Sequence, residues 1–175
     1  MKNPVWLWQL AGVTFTAVLG TLLHFLFNLS KTIFVAPFSA VNESTWEHMK
    51  ILFFPMLIFA LFQSKFFTRA YANFWQVKTL GIITGTLAIP FLFYTYNGAF
   101  GTPPAYVNVL IFFLSAGLSF LLESFLFSEK KENKILEVLS KILLVLFTSA
   151  FIIFTFFPPQ IPLFLDPITR SYGIV

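Results

Sequence analysis

The chain contains no cysteine. Disulfides, thiolate nucleophiles and cysteine-ligated metals are therefore excluded. Charge is also scarce: Asp, Glu, Lys and Arg make up 10% of 175 residues, against about 25% in a soluble domain. So few charged side chains cannot cover a folded surface of this size against water. The sequence has no glycine-rich phosphate loop and no G-x-S-x-G nucleophile elbow. The net charge of +4 is spread thinly, and no basic face of any size points to nucleic acid.

Apolar sequence is what the chain has in abundance: 58% of its residues are hydrophobic, and 26 are phenylalanine. They gather in stretches matched to a bilayer core of about 30 Å, which takes about 20 helical residues to cross. Five spans are predicted, over residues 5–28, 46–63, 74–97, 104–127 and 135–157. The fold class that follows is an all-α integral membrane protein, one transmembrane domain built as a bundle of about five helices. The connection over 29–45 includes a second apolar stretch, Lys31 to Phe38, too short to span and suited to the membrane surface or a re-entrant dip. Pro55 and Pro90 fall inside spans two and three, and Gly81, Gly85 and Thr86 give span three a small-residue face for close packing. Pro158 and Pro159 end span five, because proline has no amide donor to continue a helix. A proline-rich tail over 158–175 follows, expected to be an ordered loop.

The basic residues imply an orientation. With the N-terminus inside, Lys2, Lys65, Arg69, Lys78, Lys130, Lys131, Lys134 and Lys141 fall on the inner face. Lys31, Lys50 and Arg170 fall on the outer face. The excess favours N-terminus in and C-terminal tail out. Trp6, Trp8 and Trp75 at inner ends, with Trp46, Tyr94, Tyr96 and Tyr106 at outer ends, are expected as interfacial anchors.

One polar cluster interrupts the apolar runs: Asn42-Glu43-Ser44-Thr45-Trp46-Glu47-His48. Ser44 to Glu47 matches a capping box, in which Ser44 accepts from the Glu47 amide and Glu47 reaches back to the Ser44 amide. Capping accounts for Ser44 and Glu47 and leaves His48 unexplained. Glu47 and Lys50 stand i,i+3 and can form an ion pair. Ser44 and His48 share a helix face, as do His24 and Asn28 on span one. A histidine such as His24 ordinarily makes a contact between helices. In the tail, Asp166 and Arg170 can pair with each other, Arg170 can pair with Glu43 or Glu47, or the tail can fold back and close a pocket.

The candidate site is therefore an outer polar pocket built from His24, Glu43, Ser44, Glu47, His48, Asp166 and Arg170. Its ligand would be a small molecule, a lipid headgroup or an ion. In a catalytic version His48 is general base, Glu47 or Asp166 orients it, and Ser44 or a metal-bound water is the nucleophile. The substrate would then be a lipid or envelope precursor. A divalent metal held by His24, Glu43, Glu47, His48 and Asp166 has suitable ligand types, but their spacing fixes no set. Two other classes stay open: a transporter component energised by a separate partner, and a structural or regulatory membrane subunit. Glu123 lies about one turn inside span four, where it can snorkel and pair with Lys78 or Lys130, or take part in a proton or cation relay.

The N-E-S-x-W-E-H core, with His24 to Asn28 before it and Lys50 to Pro55 after it, resembles a family of small bacterial multi-spanning membrane proteins of unknown function. The tail, with Asp166-Pro167 and Tyr172-Gly173, is similar as well. The resemblance implies a bacterial plasma-membrane location and carries no activity with it.

Overall fold

The computed structural model describes residues 5–128 and 133–174. Lys2, Lys130 and Lys131, used above for orientation and as a partner for Glu123, lie outside the described residues. Five long helices account for the apolar runs: α1 Val5–Ser30, α2 Thr45–Phe67, α3 Phe74–Phe100, α4 Ala105–Leu126 and α5 Lys134–Phe156. Each is long and apolar enough to cross a membrane. The shortest, α4, has 22 residues, which is about 33 Å at 1.5 Å per residue. No strand occurs among the described residues, whose only β pairing is an isolated bridge between Leu165 and Tyr172.

Local chemistry sets the helix ends. Ser44 caps α2, and Asn133 caps α5 by accepting from the Leu136 amide at 3.2 Å. Gly101 closes α3 with φ of 84°, a left-handed conformation costly for a side chain with a Cβ. Pro158 follows Phe157, the C-cap of α5.

Helices α1 to α4 form a ring in which α1 packs on α2 and α4, and α3 packs on the same two. Small residues allow the close approaches. Phe120 and Phe112 of α4 sit against Gly12 and Gly20 of α1, and Glu123 and Ser119 of the same helix sit against Gly81 and Gly85 of α3. α2 is buried on nearly all sides from Thr45 to Met56, and exposes Ile58, Leu61, Phe62 and Phe66 in its second half. α5 lies outside the ring against α3, with only Leu144, Phe151 and Thr155 buried. Its remaining face is a broad apolar surface that includes Ile135, Val138, Leu139, Ile142, Val145 and Leu146.

Two expectations are corrected. Trp46 is no interfacial anchor: it is buried, its ring 4.5 Å from Phe151 of α5 and 4.6 Å from Phe164 of the tail. Packing against two other segments outweighs the preference of indole for an interface. Glu123 does not snorkel; it is fully buried and pairs with Lys78 at 2.6 Å, while the Gln9 amide donates to the same oxygen at 2.9 Å. The stretch 31–38 is a series of turns, with Ala36 buried and Phe34 exposed. Its backbone is satisfied by bonds such as Ser39 N–H to the Val35 carbonyl at 3.0 Å.

Candidate functional site

The cluster end of the bundle, where α1 and α3 finish and α2 and α4 begin, carries the residues singled out by sequence. The local fold starts with Asn42, whose Oδ1 accepts the Ser44 amide at 2.9 Å and turns the chain into α2. Ser44 Oγ accepts the Glu47 amide at 3.4 Å, a long cap. The return half of the capping box is absent. Glu47 Oε2 instead accepts the Val41 amide at 3.0 Å and meets Lys50 Nζ at 2.5 Å. Lys50, fully buried, also donates to the Ala36 carbonyl at 2.9 Å and to Thr155 Oγ1 at 2.8 Å. Glu47 and Lys50 thus fasten the connecting loop, α2 and α5 together. A carboxylate with a buried cation three residues away is drawn to it rather than to a backbone amide.

With Glu47 so engaged, a different carboxylate reaches the histidines. Glu43 Oε2 lies 3.5 Å from His24 Nε2 and 3.7 Å from His48 Nε2. The two imidazoles approach edge to face, their centroids 5.4 Å apart. One ligating atom from each of His24, Glu43 and His48 falls within 4.8 Å of the others. His48 is held by its second nitrogen: Nδ1 lies 2.9 Å from the Ser44 carbonyl oxygen. A carbonyl only accepts, so Nδ1 carries the proton and Nε2 is turned toward Glu43. His24 Nδ1 is buried without a hydrogen-bond partner among the described residues. The His24 nitrogen facing Glu43, at the outer limit of hydrogen bonding, holds its carboxyl below the usual carboxylate range. Partial burial opposes this effect, and the charge of the two imidazoles adds to it.

Two cavities meet at these side chains. One, of about 460 Å³, lies between α1 and α4 and is bordered by Gly20, His24, Phe25 and Phe113. The other, of about 340 Å³, lies toward α3 and the tail, bordered by Phe93, Pro167 and Ile168. Glu43, His48 and Asn108 belong to the walls of both. Asn108, on the first turn of α4, has a buried Oδ1 with no partner among the described residues. Sequence reading missed it, although a lone amide in an apolar helix is a signal in its own right.

The remaining candidates are placed elsewhere. Ser44 is buried in its capping role. Asp166 spends its carboxylate on its own turn, accepting from the Ile168 amide at 2.8 Å and from Thr169 Oγ1 at 2.9 Å. Arg170 is exposed, with φ of 58°, and its amide returns to the Asp166 carbonyl. Asn28, one turn after His24, is exposed and accepts from Lys31 Nζ at 3.5 Å. The tail nevertheless folds back over this end. Asn42 Nδ2 donates to the Gly173 carbonyl at 2.8 Å, and Phe164 is buried against Trp46.

Comparison with curated proteins and with solved structures finds no match in either set. A family model described as "Family of unknown function (DUF6512)" matches residues 2–174, and the chain belongs to that family.

Proposed function

We propose that the chain is a multi-pass membrane protein, of a bacterial plasma membrane, that binds a small amphipathic molecule at its outer end. Five helices of spanning length and the apolar face of α5 support insertion. The excess of lysine and arginine at the opposite end supports N-terminus in and tail out. Lys50 and Lys78 drop out of that reckoning, because both are buried in ion pairs rather than placed in loops. Lys65, Arg69, Lys134 and Lys141 remain at the inner end, against Lys31 and Arg170 at the outer.

The observation that carries the binding role is the convergence of His24, Glu43 and His48 where two largely apolar cavities meet, with Glu43 and His48 in the walls of both and His24 in the wall of the larger. A pocket with one polar pole and phenylalanine walls suits a molecule with a polar group and a hydrocarbon body, such as a lipid. Hydrolysis through Ser44 loses its support, because that hydroxyl caps α2 and is buried.

Native mass spectrometry of the gently extracted protein tests the reading. The expected result is a bound amphiphile that is retained by wild type and lost when Thr21→Trp, at an exposed position on the wall of the larger cavity, narrows it. A bare protein, or one carrying only another membrane protein, would overturn it and favour a subunit role.

A further inference from the structure

The three converging side chains have a spacing that needs explaining. Separations of 3.5 and 3.7 Å from the Glu43 oxygen to the two Nε2 atoms are at or beyond the length of a useful hydrogen bond. They are close to the edge of a coordination polyhedron. Ligands bound at about 2.1 Å to a tetrahedral ion stand about 3.4 Å apart.

The protonation of His48 sharpens the point. Its Nδ1 proton is committed to the Ser44 carbonyl at 2.9 Å. Its Nε2 then holds either a second proton or a lone pair directed at a carboxylate oxygen. A lone pair facing a carboxylate oxygen needs a proton, a water or a metal ion between them. A backbone carbonyl taking the far N–H of a histidine is also the usual way to orient an imidazole toward a metal.

We propose that His24, Glu43 and His48 bind one divalent first-row transition metal, zinc or iron(II) in chemical class. This rests on the same pocket as the proposed function and deepens it. The set of two imidazole nitrogens and one carboxylate oxygen is one that such ions favour. It leaves coordination positions toward the larger cavity, which all three ligands line, and toward the smaller one, which Glu43 and His48 line. Asn108 Oδ1, unpartnered in both walls, is available to accept from a water or ligand on the ion. Glu47 and Asp166, chemically suitable in the sequence, are not in the set, because Lys50 and the tail turn hold them.

The test uses full-length protein in detergent, stripped with chelator and titrated with cobalt(II) and with zinc(II). Cobalt should bind at one ion per chain and give the visible absorption of a low-coordinate site, and zinc should displace it. His48→Ala and Glu43→Gln should each weaken binding 100-fold or more. Asp166→Asn, which removes another carboxylate at the same end, should leave it within twofold. Glu43→His keeps a donor atom and should retain most of the affinity, which a general loss of folding would not allow. If His48→Ala fails to fold, Glu43→Gln and Glu43→His carry the comparison.

Absence of stoichiometric cobalt binding, or binding indifferent to Glu43→Gln, would overturn the proposal. The two readings fail separately. An amphiphile retained by protein that binds no cobalt leaves the pocket standing without its metal. Cobalt bound by protein that never carries an amphiphile leaves the metal without the lipid-like ligand.

Discussion

The Glu123 carboxylate meets the Lys78 ammonium at 2.6 Å where neither side chain has any solvent exposure. The pair joins α3 to α4, and Gln9 adds α1 by donating to the same carboxylate oxygen at 2.9 Å. The ammonium also lies 4.8 Å from the centre of the Phe120 ring, within reach of a cation–π contact. Removing one partner leaves the other charge buried and unpaired, at a cost of about 3–5 kcal/mol, whereas replacing both with apolar groups is often close to neutral. Lys78→Met should therefore lower stability severely, and Lys78→Met with Glu123→Leu should recover most of the loss. Unfolding of wild type, both single variants and the double variant in a mixed-micelle denaturant series measures the coupling. Additive losses would show that the two charges do not depend on one another.

Lys50 gives a second prediction of this kind with a different readout. It is the shared donor to Glu47, the Ala36 carbonyl and Thr155. Lys50→Met leaves a buried carboxylate and a loop carbonyl without their cation. The expected loss is again about 3–5 kcal/mol, concentrated where residues 31–44 meet α2. Hydrogen exchange should rise over that loop first, and Glu43 should lose its placement beside the histidines although Lys50 does not touch them. Uniform exchange changes along all five helices would contradict a local fastening role.

These two pairs show what the sequence could and could not convey. Apolar runs of spanning length, broken by prolines and a capping serine, read directly as helices, because periodicity and composition are properties of each segment alone. The i,i+3 pairing of Glu47 with Lys50 was readable for the same reason. The Lys78–Glu123 pair was readable only as one of two possible partners, and the burial of both groups was not, because burial depends on which helix faces which. The same limit explains the site. His24, Glu43 and His48 come from α1, a loop and α2, and nothing in their spacing distinguished Glu43 from Glu47 or Asp166. What separates them is prior engagement: Glu47 by a buried lysine, Asp166 by its own turn. Gln9, Gln63 and Asn108 stand out in the sequence as lone amides in apolar helices. Gln63 follows Phe59 by one turn and is fully buried, with neither amide atom partnered among the described residues.

Close helix packing makes a prediction with a built-in control. A Cβ at Gly85 would collide with Ser119 Oγ and lie 3.1 Å from the Ser115 carbonyl oxygen, while one at Gly117 would meet nothing within 4 Å. Both glycines are helical. Gly85→Ala should destabilise by about 1–3 kcal/mol as α3 and α4 are forced apart. Gly117→Ala should be neutral, or stabilising by up to about 1 kcal/mol, through reduced backbone freedom in the unfolded chain. Thermal unfolding of the two variants in the same detergent decides it. A Gly85→Ala variant as stable as Gly117→Ala would mean that α3 and α4 do not approach as closely as described.

Orientation is the prediction on which the sidedness of the site depends. With the N-terminus in, the loop after α4 is cytoplasmic, and the cluster, Asn108 and the tail are outside. A reporter active only in the cytoplasm should work when inserted between α4 and α5 and fail when fused after residue 174. A reporter active only outside should do the reverse. Replacing Lys65, Arg69, Lys134 and Lys141 with glutamine should weaken this preference, because basic residues near the ends of spans set topology. Replacing the Lys50–Glu47 and Lys78–Glu123 pairs with apolar residues should leave it unchanged, since each lysine is matched by a buried carboxylate. A C-terminal reporter found in the cytoplasm would turn the molecule over. The histidine site would then face the cell interior and its pools of metal and lipid precursors, with the same geometry serving the other leaflet.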